Sequence, residues 1–295
     1  MSNTIQTAAT IVTQECLRTL LVRYPALKTL SHSFDAIPGT GVKVPSISAT
    51  TAGNWNDSDG YAPIARTVNA VTVNPADWNI VYHTFSINPL EAAQVNPQII
   101  SRLAESGAHA VGRNILDSLI ALCDAATVTN ETPATTVDLD TLVAADAALA
   151  ARGGVDPTGA VMGADAFANL LSDSTIHSAL VRGDTTDPVV TGRLGNVIGF
   201  PVDRYAGFTN PTDTIVTKGL IGGVDGFALV TGVPLEEQSG AVALNVVEDA
   251  NSGLKALLRS WVDQKTGAYN HTIAIGVGAK IGIASALQRI VTPHS

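Results

Sequence analysis

The sequence is poor in charged residues. Only 15% of its 295 residues are Asp, Glu, Lys or Arg, whereas 45% are hydrophobic; soluble globular domains usually carry about 25% charged residues. The chain therefore has apolar material for one large or two modest domains, but few charges to coat a free surface. Composition is equally consistent with a compact monomer rich in Ala, Val and Gly and with a subunit that neighbours cover.

Basic runs are also absent. The sequence has 17 Lys and Arg against 26 Asp and Glu, which gives a net charge of −9 with neutral His. A protein that holds nucleic acid by its phosphates carries a basic stripe. We therefore expect any contact with DNA or RNA to be weak and unspecific, as in a container or an ordinary cytosolic protein.

Cysteine is scarce, and targeting signals are missing. Cys16 and Cys123 lie far apart in apolar helical contexts, without CxxC or Cys/His metal spacing, which predicts buried free thiols in a reducing cytoplasm. Residues 1–10 lack the basic and apolar regions of a signal peptide. No stretch reaches 18 consecutive apolar residues, so we expect no membrane span.

Motifs that carry catalysis are missing as well. The sequence has no G-x-S-x-G, HExxH or Walker loop, and none of its six His lies within five residues of another. Gly276, Gly278 and Gly282 form GxGxxxG inside an alternating run, and not at the strand-to-helix turn of a dinucleotide loop. We expect no catalytic, cofactor or metal site, although carboxylates paired only by folding would escape this search.

Residues 31–85 differ from the rest of the chain in composition and in the residue pattern that predicts secondary structure. Two extended runs, 42–47 and 66–73, flank a polar stretch at 50–62, which is the pattern of a long β-hairpin with an irregular tip. A lone two-stranded ribbon is marginal in water, and this segment is too polar to fold onto a core of its own. We expect it to lie against another copy of the molecule; a structureless loop is the alternative.

A long helix is predicted next. A strand over 79–87 precedes Asn96-Pro97, which places Asn at the N-cap and Pro at the first helical position. Apolar residues then recur at spacings of three and four to about Asp124. A helix of roughly 28 residues is about 42 Å long, which makes it a spine.

The rest of the chain alternates between predicted helices and strands. Asp138 should cap a helix, and the final strand alternates aliphatic residues, from Ile273, with small ones. The aliphatic face should pack on the spine helix, and the small face indicates close approach of another backbone. The predicted helices cover 139–152, 164–172 and 224–231, and the predicted strands cover 160–163, 197–205, 215–221, 254–262 and 272–283.

This order of elements resembles the major capsid proteins of tailed bacteriophages, which share the α+β Johnson fold, also called the Hong Kong phage capsid fold. Four stretches are similar to the family's strand-to-helix entry, spine end, Gly-aromatic-Pro-Val turn and late helix: Phe85-Ser-Ile-Asn-Pro-Leu-Glu, Gly112-Arg-Asn-Ile-Leu-Asp, Gly195-Asn-Val-Ile-Gly-Phe-Pro-Val-Asp and Asp225-Gly-Phe-Ala-Leu-Val-Thr-Gly-Val-Pro. The resemblance covers nearly the whole chain. It implies an N-terminal arm (1–30), an extended E-loop hairpin with its flanking strand (31–85), a P-domain with the spine helix (86–130), an A-domain (131–250) and returning P-domain strands (251–295).

The resemblance also implies a function. It implies hexamers and pentamers that tile an icosahedral shell around DNA, in a virion assembled in the host cytoplasm, with a portal and a decoration protein as candidate partners. Only about 30 residues precede the hairpin, so we expect a separate scaffolding protein. Lys43 is the sole hairpin Lys and lies near the base, so we expect no isopeptide crosslink of the kind that some members form.

Contacts between subunits are the functional sites that we predict. In the hairpin the expected anchors are apolar or aromatic: Val44, Ile47, Trp55, Tyr61, Ile64 and Val68. In the A-domain we expect contacts around the symmetry axis through the loop 182–190, with Arg182, Asp184, Asp187 and Pro188. A bacterial nanocompartment shell of the encapsulin type and a soluble α/β enzyme are the alternatives to this non-enzymatic function.

Overall fold

The computed structural model describes residues 26–47, 68–88, 97–124, 126–152, 156–176, 194, 196–208, 216–234, 243–248 and 255–293. The helices in these ranges are α1 (Ala26–Thr29), α2 (Pro97–Ala121), α3 (Leu139–Ala150) and α4 (Ala164–Ser172). The strands are β1 (Ser31–Asp35), β2 (Val42–Ile47), β3 (Val68–Val73), β4 (Trp78–Ile87), β5 (Glu131–Pro133), β6 (Gly159–Gly163), β7 (Asn196–Val197), β8 (Phe200–Tyr205), β9 (Thr217–Gly222), β10 (Phe227–Gly232), β11 (Ala243–Glu248), β12 (Lys255–Val262), β13 (Tyr269–Ile281) and β14 (Leu287–Val291).

The first sheet is built around β13, its longest strand. Strand β4 pairs antiparallel with β13 from Trp78 opposite Gly278 to Ile87 opposite Tyr269. On its other side β13 pairs with β12 along its first half and with β10 along its second. Strand β11 adds to β12, and β1 adds in parallel to β10. Strand β1, which lies within the predicted hairpin segment, is therefore part of this sheet.

Helix α2 packs on one face of the first sheet. It begins at Pro97 as predicted and ends slightly before the predicted end, at Ala121. A Cβ on Gly107 would lie 2.8 Å from Cδ2 of His83 and 3.4 Å from Cδ1 of Ile273, so this glycine lets the helix approach the sheet closely. The aliphatic face of β13, from Ile273 onward, is buried in the same core cluster as the helix, which confirms the predicted packing.

The second sheet has the order β5-β14-β9-β6-β8-β7. Helices α3 and α4 cover one face, where Leu142 and Leu170 are fully buried. Asp138 accepts a hydrogen bond from Thr141 N at 2.9 Å, which confirms the predicted cap of α3. On the opposite face Leu220 joins the core cluster that contains the spine helix. This sheet is therefore buried on both faces.

Each sheet combines strands from more than one of the segments that the resemblance implies. Strands β10 and β11 lie within 131–250 but extend the first sheet, whereas β14 lies within 251–295 but belongs to the second. The chain crosses between the two sheets several times, and the local sequence pattern of a strand does not indicate its partner.

Two element predictions are wrong. The predicted helix over 224–231 is largely strand β10, all six of whose residues are buried; a short apolar run fits either structure, and its place inside the sheet decides. The predicted strand over 197–205 is a tight hairpin. Strand β7 ends at Val197 and β8 begins at Phe200, because Ile198 and Gly199 adopt positive φ angles of 55° and 92°.

The base of the predicted hairpin folds onto its own subunit. Strands β2 and β3 pair over six residues each. Val44 and Val73 are 3% and 0% exposed and form a core cluster with Ala228 and Val230 of β10. The expectation that residues 31–85 find no support in their own subunit is therefore wrong for the described part. The predicted tip lies outside the described residues, as does most of the implied N-terminal arm over 1–30.

Candidate functional site

The base of the hairpin packs on the face of β13 that carries Gly276 and Gly278. A Cβ on Gly278 would lie 2.8 Å from Cγ1 of Val73 and 3.2 Å from Cδ2 of Trp78, and one on Gly276 would lie 2.6 Å from Cγ of Pro38. The predicted close approach of another backbone is found at Gly282, where a Cβ would clash with the carbonyl oxygen of Asp225; at Gly276 and Gly278 the nearest atoms are instead side-chain atoms of the hairpin base and the preceding loop. We call β2, β3 and these contacts the hairpin root.

A charged contact fixes the β3 arm of the hairpin root at its base. Lys280 Nζ lies 2.9 Å from Oδ2 of Asp77 and donates to the carbonyl oxygen of Thr72 at 3.2 Å. The hydrogen bond with Lys280 is the first cause that lowers the pKa of Asp77, followed by a bond from the backbone N–H of Asn74. The carboxylate is therefore ionised at neutral pH and forms an ion pair with Lys280.

A neutral hydrogen bond fixes the other arm at its base, next to β2. Trp78 Nε1 donates to the carbonyl oxygen of Thr40 at 2.9 Å, within the turn that leads into β2. Both chain segments that enter the hairpin are thus attached to the same subunit, so the first sheet sets the direction in which the arms leave.

Strand β4 presents an apolar row to solvent. Val81 and Phe85 are buried beneath α2, but Ile80 and Tyr82 on the opposite face are 52% and 67% exposed. Among the described strands β4 pairs only with β13, and its sequence WNIVYHTFSI has no Asp, Glu, Lys or Arg. Exposed sheet edges usually carry charges that discourage association, so this surface is a candidate contact with another molecule.

Sequence reasoning missed the surface at Ile80 and Tyr82. The signal was present, because apolar residues occupy both alternating registers of the strand, and a strand that buries one face needs them in only one. Which register faces solvent depends on where α2 packs, and the sequence does not show that.

The structure places few of the predicted contact residues. Val44 is buried in its own subunit and therefore anchors the hairpin root, so it is not free to contact a neighbour. The backbones of Ile47 and Val68 are paired at the outer ends of the described arms. The other predicted contacts lie outside the described residues: Trp55, Tyr61, Ile64, Arg182, Asp184, Asp187 and Pro188.

A buried Ser–His pair is the described arrangement closest to catalytic chemistry. Ser260 Oγ lies 2.8 Å from Nδ1 of His271, whose ring stacks on Phe85 at 5.2 Å. Burial lowers the pKa of His271. Ser260 and His271 are 2% and 3% exposed, so a substrate cannot reach the pair, and its role is packing.

Cys123 is a buried free thiol, as predicted. Desolvation by burial raises its pKa to about 12, which suppresses the reactive thiolate at neutral pH. Within the described ranges no three or more His, Cys, Asp and Glu side chains are grouped to hold a metal ion. No helix of the part that the structure describes is both long and apolar enough to cross a membrane.

Solved structures share this fold over nearly the whole chain. A virus-like particle from Pyrococcus furiosus is similar with a TM-score of 0.55 and 12% identity, covering 96% of this chain and 97% of that chain. The capsid of cyanophage P-SCSP1u gives 0.53 and 11% identity over 91% and 88%, and Mycobacterium phage Bobi gives 0.53 and 11% over 92% and 91%. No family model and no curated protein matches the sequence. The chain has the α+β fold of tailed-phage capsid proteins, as the resemblance predicted.

Proposed function

We propose that the chain is the major capsid protein of a tailed bacteriophage, which assembles as hexamers and pentamers into an icosahedral shell around DNA. The observation that carries the proposal is the hairpin root, since the subunit itself holds the paired strands β2 and β3, which end at Ile47 and begin at Val68. A ribbon held this way is suited to reach a neighbouring copy. The fold likeness to a phage capsid and to a virus-like particle supports the same function.

The hairpin supplies one contact between subunits. Its anchors are the predicted residues other than Val44: Ile47, Trp55, Tyr61, Ile64 and Val68. Burying one large apolar side chain stabilises a contact by about 1.5–3 kcal/mol, and aromatic residues are enriched among such anchors. The exposed row at Ile80 and Tyr82 adds apolar surface that a neighbouring copy covers.

The loop 182–190 supplies a second contact, around the symmetry axis. Arg182, Asp184, Asp187 and Pro188 meet their copies there in head-to-tail contacts, which close into rings. Interfaces of standard size bury about 1,600 Å², and several per subunit make shell stability collective. The net charge of −9 suits a container that does not grip its DNA.

Negative-stain microscopy of the expressed chain tests the proposal. We expect closed or aberrant shells, or free hexamers and pentamers. A chain that stays monomeric under all assembly conditions would overturn the proposal and favour a soluble α/β enzyme.

A deletion of residues 53–60 tests the role of the hairpin. The variant should keep the wild-type circular dichroism and thermal midpoint, because the root is intact, but its particle yield should fall. A matched variant replaces the same eight positions with Gly and Ser, which keeps the reach and removes the side chains. Wild-type particle yield from both variants would contradict the role given to the hairpin.

A nanocompartment shell of the encapsulin type is the second candidate. The likeness to the Pyrococcus furiosus virus-like particle, which covers nearly all of both chains, is the observation in its favour. Neighbouring genes separate the two functions: portal and terminase genes indicate a phage, whereas a ferritin-like or peroxidase cargo gene indicates a nanocompartment. Particles purified from the source would contain DNA in the first case and cargo protein in the second.

A further inference from the structure

The turn between β7 and β8 holds a branched apolar residue in a conformation that such residues avoid. Val197 pairs with Phe200, so Ile198 and Gly199 form a two-residue turn, and both have positive φ angles, 55° and 92°. Turns of this kind favour Asn, Asp or Gly at the first position. A β-branched residue at positive φ is an outlier; Ile198 is the non-glycine residue with positive φ in the described part of the chain.

The described part of the subunit covers the Ile198 side chain only partly. Val197 and Phe200 are 7% and 2% exposed and belong to the core cluster that α4 covers, so the turn is held firmly. Ile198 is 39% exposed and stands outside that cluster. A Cβ on Gly199 would meet no atom within 4 Å, so the tip of the turn is open. Backbone strain combined with exposure suits a contact better than it suits an isolated subunit.

We infer that Ile198 packs against a second copy of this chain when subunits assemble. The inference rests on the proposed function, in which copies surround each subunit in fixed positions. A copy is the occupant that the observations favour, because the solved chains with this fold come from a capsid and a virus-like particle. The turn also follows closely along the chain after the loop 182–190, which we propose as the contact around the symmetry axis.

The substitution Ile198→Asn separates the contact from the fold. Asn tolerates positive φ and is favoured in this turn, so the isolated subunit should unfold at the same denaturant concentration as the wild type or a higher one. The variant loses the apolar contact, so its assembly should need a protein concentration about tenfold higher. Light scattering during assembly measures this threshold, and urea unfolding of unassembled subunits measures stability.

Val143→Gln is the matched control. Val143 is a 48% exposed aliphatic residue on α3, in the same half of the molecule but in regular helix, so its replacement should leave the assembly threshold unchanged. Assembly of Ile198→Asn at the wild-type threshold would overturn the inference, as would a lower stability of the isolated variant, which would place the contact inside the subunit. A wild-type chain that forms no particles would overturn the proposed function and this inference with it.

Discussion

The two sheets bury their faces to different extents. Helices α3 and α4 cover one face of the second sheet, the cluster around the spine helix covers the other, and even Arg289 is only 1% exposed there. The first sheet has α2 on one face, but the hairpin root covers only part of the other, and Ile80 and Tyr82 remain exposed. The second sheet is therefore stabilised within the subunit, whereas the described part of the subunit leaves apolar surface of the first sheet exposed to solvent.

The largest effect should come from breaking the ion pair of the second sheet. Arg289 Nη1 lies 3.1 Å from Oε1 of Glu131, and its guanidinium also donates to Thr217 Oγ1 at 3.1 Å. Glu131→Leu removes the carboxylate that is paired directly with this buried charge, so the free energy of unfolding should fall by about 3–5 kcal/mol. Urea denaturation measures the loss.

The double variant Glu131→Leu with Arg289→Met is the control for this prediction. It removes both charges, and apolar replacement of a buried pair is often neutral, so most of the lost stability should return. A single variant as stable as the wild type would show that the pair does not hold the second sheet.

A pair of substitutions tests the comparison directly. Leu170→Ala empties a fully buried position where α4 packs on the second sheet and should lower the free energy of unfolding by about 3 kcal/mol. Tyr82→Ser on the open face should change it by less than about 0.5 kcal/mol while reducing particle yield. Equal losses of subunit stability would mean that the two sheets do not differ in the way described.

Gly278→Ala probes the boundary between the covered and open parts of the first sheet. The added methyl group would approach Val73 and Trp78, and the overpacking should cost about 2 kcal/mol. Amide hydrogen exchange of β2 and β3 should accelerate as the hairpin root loosens. Gly41→Ala is the control, because its Cβ would meet nothing within 4 Å; the same acceleration in both variants would exclude a specific seat at Gly278.

The smallest effect should be the pH dependence due to His271. Burial lowers its pKa from 6.5, so between the lowered pKa and 6.5 the unfolded chain binds more protons. The free energy of unfolding is therefore unaffected by His271 above pH 6.5. It decreases as the pH falls from 6.5 toward the pKa of the folded state, by at most about 1.4 kcal/mol per pH unit.

His271→Gln should remove this decline between pH 7 and 5.5, as followed by urea unfolding at both values. Burial raises the pKa of Asp203 to about 6, so protonation of Asp203 increases the free energy of unfolding as the pH falls. This contribution is the same in wild type and variant and cancels when their pH dependences are subtracted. Identical pH dependence in wild type and variant would rule out the effect of His271.

Elements with local signals were predictable from the sequence. Asn96-Pro97 marked the start of α2, Asp138 marked α3, and the alternation after Ile273 marked the buried face of β13. Strand β10 was mistaken for a helix because its short apolar run has no distinguishing period. Its position inside the first sheet comes from pairing with β1 and β13, which are distant in sequence.

The candidate site was predictable only in outline. The extended runs of the hairpin were visible in the sequence, but nothing near Val44 indicated that it packs on Val230 of a distant strand. The exposure of Tyr82 and the positive φ of Ile198 likewise depend on how other segments fold around them. The local sequence therefore predicted that a hairpin exists. Only the tertiary structure shows which of these residues are buried within the subunit and which are exposed.

Strand β13 also determines when the first sheet can form during folding. Strands β4, β10 and β12 all take their hydrogen-bonding partner from it, and β4 is far from it in the sequence. Contacts over such sequence separations form slowly. A chain in which β13 is not yet in place therefore lacks the surface on which the hairpin root packs, and the root should be among the last parts of the first sheet to become ordered.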